Sequence, residues 1–248
     1  MAKQKGIVKF EGTLDGINFY MRKGVPVARK AGGGFTAKVI KNSPNMERVR
    51  ENSSEFGHCS QIKRLIRESL FVLLQDYKDP SLHARMMRLM QEIKVLDVVS
   101  ERGKRTVVCG LQTHLGKKLF FDFSFTEKYS FKNVVTVTVD AFTLSCTITH
   151  FDSNCIAFPK SATHVKFTYL VCAYDFDALT FTSYPTSVFF ERGHEINLPF
   201  TLTPNLPLTN LKDVICFCGI RFFQENGDQK LVLKSSNAFG ISCVHIGF

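Results

Sequence analysis

The chain predicts an α+β fold: an N-terminal β-meander plus a helical hairpin, followed by an antiparallel β-sandwich of the immunoglobulin-like or jelly-roll-like kind. Three observations carry this expectation. Turn residues punctuate short runs in the first 30 positions, apolar residues recur at helical spacing from Met46 to Leu96, and apolar residues alternate with polar ones from Val135 onward. Those three codes follow one another along the chain, so the element types are segregated rather than interleaved.

The meander is expected to use strands at Gly6–Phe10, Gly16–Arg22 and Val25–Arg29, reversed at Asp15-Gly16 and Lys23-Gly24, where positive φ is tolerated. Ala31-Gly32-Gly33-Gly34 then breaks the pattern as a hinge. It lacks the spacing of a phosphate-binding loop and is followed by no nucleotide-binding βαβ unit. Ser43-Pro44 starts a helix, with Ser as cap and Pro in the first turn. Met46, Val49, Phe56, Cys59, Ile62, Ile66, Leu70 and Leu73 form its apolar stripe, while Asn52-Ser53-Ser54 and Gly57 allow a break in the middle. Asp79-Pro80 repeats the start signal, and Leu82, Met86, Leu89, Met90, Ile93 and Leu96 make a second stripe, antiparallel to the first across a turn at Tyr77 to Pro80.

After Arg102-Gly103-Lys104-Arg105 and Lys117-Lys118 the code changes to strand. Val135, Val137 and Val139, then Phe142 to Ile148, then Val165 to Val171 each alternate with Thr, Ser or Lys, which buries one face and wets the other. Val214–Phe223 and Leu231–Leu233 flank the hairpin turn Glu225-Asn226-Gly227-Asp228, and Phe239–Phe248 reads as a last strand. The stretch from about Thr113 to Lys118 marks the boundary, giving a basic module over 1–118 and a sandwich over 119–248.

Charge separates these halves. Residues 1–118 hold 23 Lys and Arg against 11 Asp and Glu, whereas 119–248 hold nine against 11, so the net charge of +10 resides in the first half. A single-sign surface attracts polyanions or acidic protein faces and says little about reaction type. The expected contact residues are Lys3, Lys5, Lys9, Phe19, Tyr20, Arg22, Lys23, Arg29, Lys30, Arg48, Arg50, Arg102, Lys104 and Arg105, cations that neutralise charge beside rings that can stack. No signature of a sequence-specific nucleic-acid reader accompanies them.

Other candidate chemistry is weak. Glu55-Phe56-Gly57-His58 has the E-x-x-H spacing of a di-iron helix, but its only repeat, Glu191 to His194, falls at a turn in the β-rich half; a polar patch or a contact with the meander is the plainer reading. Cys216-Phe217-Cys218 lacks a second ligand pair and reads as core. Asp175 and Asp177 suit a turn. No catalytic string is present, so the sequence points to no catalytic, cofactor-binding or metal residues and no cofactor. The opening lacks the apolar run of a secretory signal, no 18-residue apolar stretch exists, and the eight cysteines are expected as free thiols in a cytoplasmic protein.

The strings MAKQKGIVKFEGTLDGINFYMRKGVPVARKAGG and RVRENSSEFGHCSQIKRLIRESL together resemble an uncharacterised family of hypothetical proteins of about this length from Bacteroidota. Its members share a KGIIK-G-T-G-FY-like opening, a TREN-EFG helix, a basic turn and a β-rich tail. The resemblance covers most of the chain, is most specific over residues 1–70, and agrees more loosely around Ser236-Asn237-Ala238. It implies a bacterial cytoplasm and brings no function or functional residues.

The resulting expectation is a non-enzymatic structural or assembly protein whose basic N-terminal module docks onto another subunit or a polyanion and whose β-rich domain can self-associate by pairing its edge strands with a neighbouring copy, with no membrane span. The alternatives are a sequence-independent nucleic-acid-binding protein, and an enzyme or ligand-binding module with a site on the sandwich loops.

Overall fold

The computed structural model describes residues 2–32, 36–75, 77–126, 135–151, 159, 161–192, 198–207, 211–227, 229–234 and 238–248. Its contacts divide into two compact units, Met1–Ser54 and Glu55–Phe248. The charge pattern suggested a junction after residue 118; the division by contact falls between Ser54 and Glu55.

The first unit is built on β1 (Ala2–Lys3), β2 (Gly12–Leu14), β3 (Ile17–Arg22) and β4 (Val25–Lys30). They form one antiparallel sheet in the order β1-β4-β3-β2. Both expected reversals are present, with positive φ at Asp15, Gly16, Lys23 and Gly24. The expected strand at Gly6–Phe10 is absent, and strands lie on either side of it. Residues 4–10 close instead into a loop: Phe10 N donates to Gln4 Oε1 at 2.9 Å and Lys9 Nζ donates to Gln4 O at 2.9 Å and to Gly6 O. Helix α1 (Ala37–Asn42) follows, capped by Thr36, then a single 3-10 turn at Pro44–Met46.

Helix α2 (Glu47–Ser69) runs without the break that its polar middle allowed. Asn52, Ser53, Ser54 and Gly57 are all exposed, and Gly57 has open space around it, so poor helix formers there disturb no packing. The buried stripe begins only at Glu55 and Cys59; Phe56, expected in it, is exposed. After the short α3 (Phe71–Leu74), α4 (Leu82–Val95) returns antiparallel, since Glu55 bonds Lys94, Cys59 Sγ meets Met90 O and Lys63 meets His83. Two further helices follow, α5 (Val107–Gln112), where no element was expected, and α6 (His114–Asp122), which covers most of the stretch expected as a boundary.

In the second unit β5 (Val135–Val139), β6 (Cys146–Phe151) and β9 (Phe200–Leu202) make a three-stranded sheet. A five-stranded sheet contains β7 (His164–Asp175), β8 (Thr180–Glu191), β10 (Val214–Asn226), β11 (Gln229–Val232) and β12 (Phe239–Gly247), with β10 paired to β7, β11 and β12. All described pairings are antiparallel, and the fold is α+β with a sandwich-like arrangement of sheets. The hairpin at 225–228 is present in register, Asn226 opposite Gln229, with Gly227 at φ 61°; Asp228 lies outside the described residues. Asp175 and Asp177 do serve a turn, Asp175 Oδ1 accepting from the amides of Asp177 and Ala178.

The central strands differ from expectation in one respect. Val165, Phe167, Tyr169, Val171, Cys216, Cys218, Ile220 and Phe222 pack against Val135, Cys146, Ile148 and Phe151 of the smaller sheet. The opposite face, with Leu170, Cys172, Tyr174, Ile215 and Phe217, is also buried, under Ile62, Ile66, Leu70, Met86, Met90 and Phe120 of the helices. Period two in β7 and β10 thus separates two cores rather than core from water. Helices, large sheet and small sheet form three layers, and even Thr168 is only 8% exposed.

Candidate docking surface

Cross-strand register sorts the N-terminal sheet into two faces. Ile17, Phe19 and Met21 of β3 stand opposite Lys30, Ala28 and Pro26 of β4, with Leu14 of β2 beside Ile17 and Ala2 of β1 beside Ala28. That face carries one charge, Lys30, and is otherwise apolar. Leu14, Ile17 and Met21 are 66%, 41% and 47% exposed, and Phe10, 55% exposed, sets its ring 5.8 Å from that of Phe19. Successive residues point to opposite sides, so Asn18, Tyr20 and Arg22 share the other face with Arg29, Val27, Val25, Thr13 and Lys3. There the Arg29 guanidinium lies 5.6 Å from the Tyr20 ring centre, a cation–π contact.

The unit has almost no interior. Val27 is the one buried hydrophobic residue among its described positions. The edge strands are two and three residues long and offer little backbone for a further strand, so the faces are the usable surface.

The expected contact residues disperse on this framework. Lys3, Tyr20, Arg22 and Arg29 share the polar face, while Phe19 and Lys30 lie on the apolar one. Lys23 sits in the β3–β4 turn and Lys5 and Lys9 in the 4–10 loop, where Lys9 is engaged with backbone oxygens. Arg48 pairs with Glu51 at 2.9 Å on the surface of α2. Arg50 donates to Ile40 O at 2.7 Å and Ser43 O at 2.9 Å, satisfying carbonyls at the end of α1. Arg102, Lys104 and Arg105 belong to the second unit, Lys104 pairing with exposed Glu101 at 3.0 Å.

Arg105 is bound inward. Glu55, 1% exposed, accepts from Lys94 Nζ at 2.5 Å, from Arg105 Nε at 2.8 Å and Nη2 at 3.0 Å, and from the Gly103 amide at 2.8 Å. The Arg105 guanidinium is the main reason its carboxyl is held down to about 2, with Lys94 and the Gly103 amide adding to it and burial opposing it. Asp97 completes the arrangement, accepting from the amides of Val99, Ser100 and Thr106. His58 Nε2 accepts from the Val107 amide at 3.1 Å, which places its ring proton on Nδ1, and burial lowers its pKa. The E-x-x-H pair is therefore neither a surface patch nor half of a metal site: it ties α2 to the 97–107 loop. Of its repeat, Gly193 and His194 lie outside the described residues.

Among the described residues no cluster of His, Cys, Asp and Glu could hold a metal ion, and no helix is long and apolar enough to cross a membrane. The seven described cysteines are free thiols, with Cys155 outside the described residues. Cys216 and Cys218 face the core beside Cys146, and burial pushes Cys216 up to about 12, far from the reactive thiolate range. No protein-family model, curated protein or solved structure matches the chain.

Proposed function

We propose that this is a non-enzymatic, cytoplasmic assembly protein that associates with further copies of itself through the apolar face of its N-terminal sheet. The supporting observation is that face: seven apolar side chains and one cation on a unit with a single buried hydrophobic residue among its described positions. A four-stranded sheet gains stability chiefly by covering one face, and this unit has little of its own to cover it with. A second copy suits the surface because the face is nearly uncharged, whereas the remainder of the unit would repel its own kind. Two such sheets stacked face to face make an isologous contact. The opposite face, with Lys3, Arg22, Arg29 and Tyr20, stays turned outward for an anionic partner.

Sedimentation velocity on the full chain tests this reading. The expected result is concentration-dependent dimers or larger species for the natural chain and monomers for the Ile17→Lys, Met21→Lys double variant. A natural chain that stays monomeric at all concentrations would sink it.

A further inference from the structure

A groove of about 870 Å³ lies in the second unit, along the end of α2, α3 and the turn into α4. Its floor holds Lys63, only 6% exposed, whose ammonium lies 3.1 Å from His83 Nδ1. An ammonium only donates, so His83 accepts through Nδ1 and carries its own proton on Nε2. Lys63 has no carboxylate partner among the described residues. Arg67, one helical turn on, adds a second positive charge, and burial together with Arg67 lowers the Lys63 pKa.

The acids lining the groove are already engaged. Glu68 accepts from Arg64 at 2.8 Å, and Asp79 from Arg85 at 2.6 Å and from the Ser81 amide and hydroxyl. Among the described residues no carboxylate pairs with Lys63, Arg67 or Lys78, which give the groove a positive lining. A buried ammonium held only by a neutral imidazole is costly, and an anion bound beside it offsets that cost. The other wall is apolar, formed by Phe71, which is 67% exposed, Leu74, Leu82 and Tyr77, whose ring is fixed 4.6 Å from that of Phe239. The volume falls in the range of small-molecule sites, with few polar groups converging at one end of an apolar cleft.

We infer that this groove binds a small organic phosphate monoester, its dianionic phosphate between Lys63 and Arg67 and its apolar or aromatic body along Phe71, Leu74 and Tyr77. Two adjacent cations match a dianion better than a carboxylate, and an aromatic body uses a wall that inorganic phosphate would leave empty. The inference is independent of self-association, since none of these residues belongs to the N-terminal sheet.

Isothermal titration calorimetry of the full chain with phenyl phosphate and with AMP tests it, with phenol, adenosine and inorganic phosphate as comparisons. The expected result is saturable binding of at least one phosphate ester, at least about tenfold tighter than its dephosphorylated counterpart and than inorganic phosphate. Lys63→Gln and Arg67→Gln should each weaken that binding at least about tenfold. Arg67 is exposed, so its variant reports on binding even if the buried Lys63 site disturbs folding. Absence of saturable binding of either ester up to about 10 mM, equal binding of the dephosphorylated compounds, or binding undiminished in Arg67→Gln would overturn the assignment.

Discussion

Glu55 shows what one buried carboxylate does when its partners come from distant segments. It ties α2 to Lys94 at the end of α4 and to Gly103 and Arg105 in the following loop, so one side chain sets the position of a long connection. Replacing it with Gln would take from Lys94 and Arg105 the buried carboxylate they share, a change that typically costs about 3–5 kcal/mol. Urea denaturation of Glu55→Gln near neutral pH should show a loss of that size, and a loss under about 1 kcal/mol would contradict the assigned role. The pH dependence has a definite sign. A carboxyl held at about 2 when folded, against 4.5 unperturbed, contributes stability that is present above about 4.5 and disappears as pH falls toward 2. Across that window the natural chain should lose stability more steeply than the Gln variant. His58 and Glu55 stand out in the sequence by spacing alone, which offers a di-iron pattern or, more plainly, a polar patch; their partners, 39 or more residues away, are invisible without the fold.

At the scale of elements, close packing rests on two glycines. A Cβ at Gly110 would lie 2.1 Å from Ile93 O, and one at Gly116 would lie 2.0 Å from Gly110 O, so α5 rests directly on the backbone of α4 and α6 on that of α5. Gly110→Ala should destabilise the chain by about 1–3 kcal/mol through overpacking, whereas Gly57→Ala on the open side of α2 should be neutral or slightly stabilising. Parallel thermal or chemical melts of the two variants make the comparison, and equal effects would refute it. The sequence marked only a boundary from about Thr113 to Lys118 here, yet Thr113 caps α6 through the Gly116 amide and the glycines make room for close packing. The meander turns, both long helices and the 225–228 hairpin were legible because their signals are local. The burial of β7 and β10 on both faces was not, because Lys166 and Thr168 look like solvent-facing positions until the helix layer is placed over them.

For the whole molecule, the charge asymmetry sharpens once the units are known. Residues 1–54 hold 11 Lys and Arg against four Asp and Glu, and residues 55–248 hold 21 against 18, so a surplus of seven out of the net ten lies in the smaller unit. If the polar face of the sheet meets a polyanion, affinity for a single-stranded oligonucleotide should fall steeply with salt, and Arg22→Gln with Arg29→Gln should flatten the slope by about two released ions. Fluorescence anisotropy across a salt series measures both, and a slope unchanged by the double substitution would remove that face from the contact. The charge excess is legible in the sequence but the second face of the sheet is not: the alternation of Ile17, Phe19 and Met21 was read as a strand, and only the register with β4 and β2 shows that these side chains collect on one nearly uncharged side. The Lys63 groove was hidden for the same reason, since only the fold brings Lys63, Arg67 and Lys78 to one cavity. The central claim, that the apolar face joins copies of the chain, is met most directly by amide hydrogen exchange at low and high protein concentration. The account predicts that protection of β3 and β4, Ile17 to Lys30, rises with concentration while that of the central strand β10 stays constant. Identical exchange of β3 and β4 at both concentrations would contradict it.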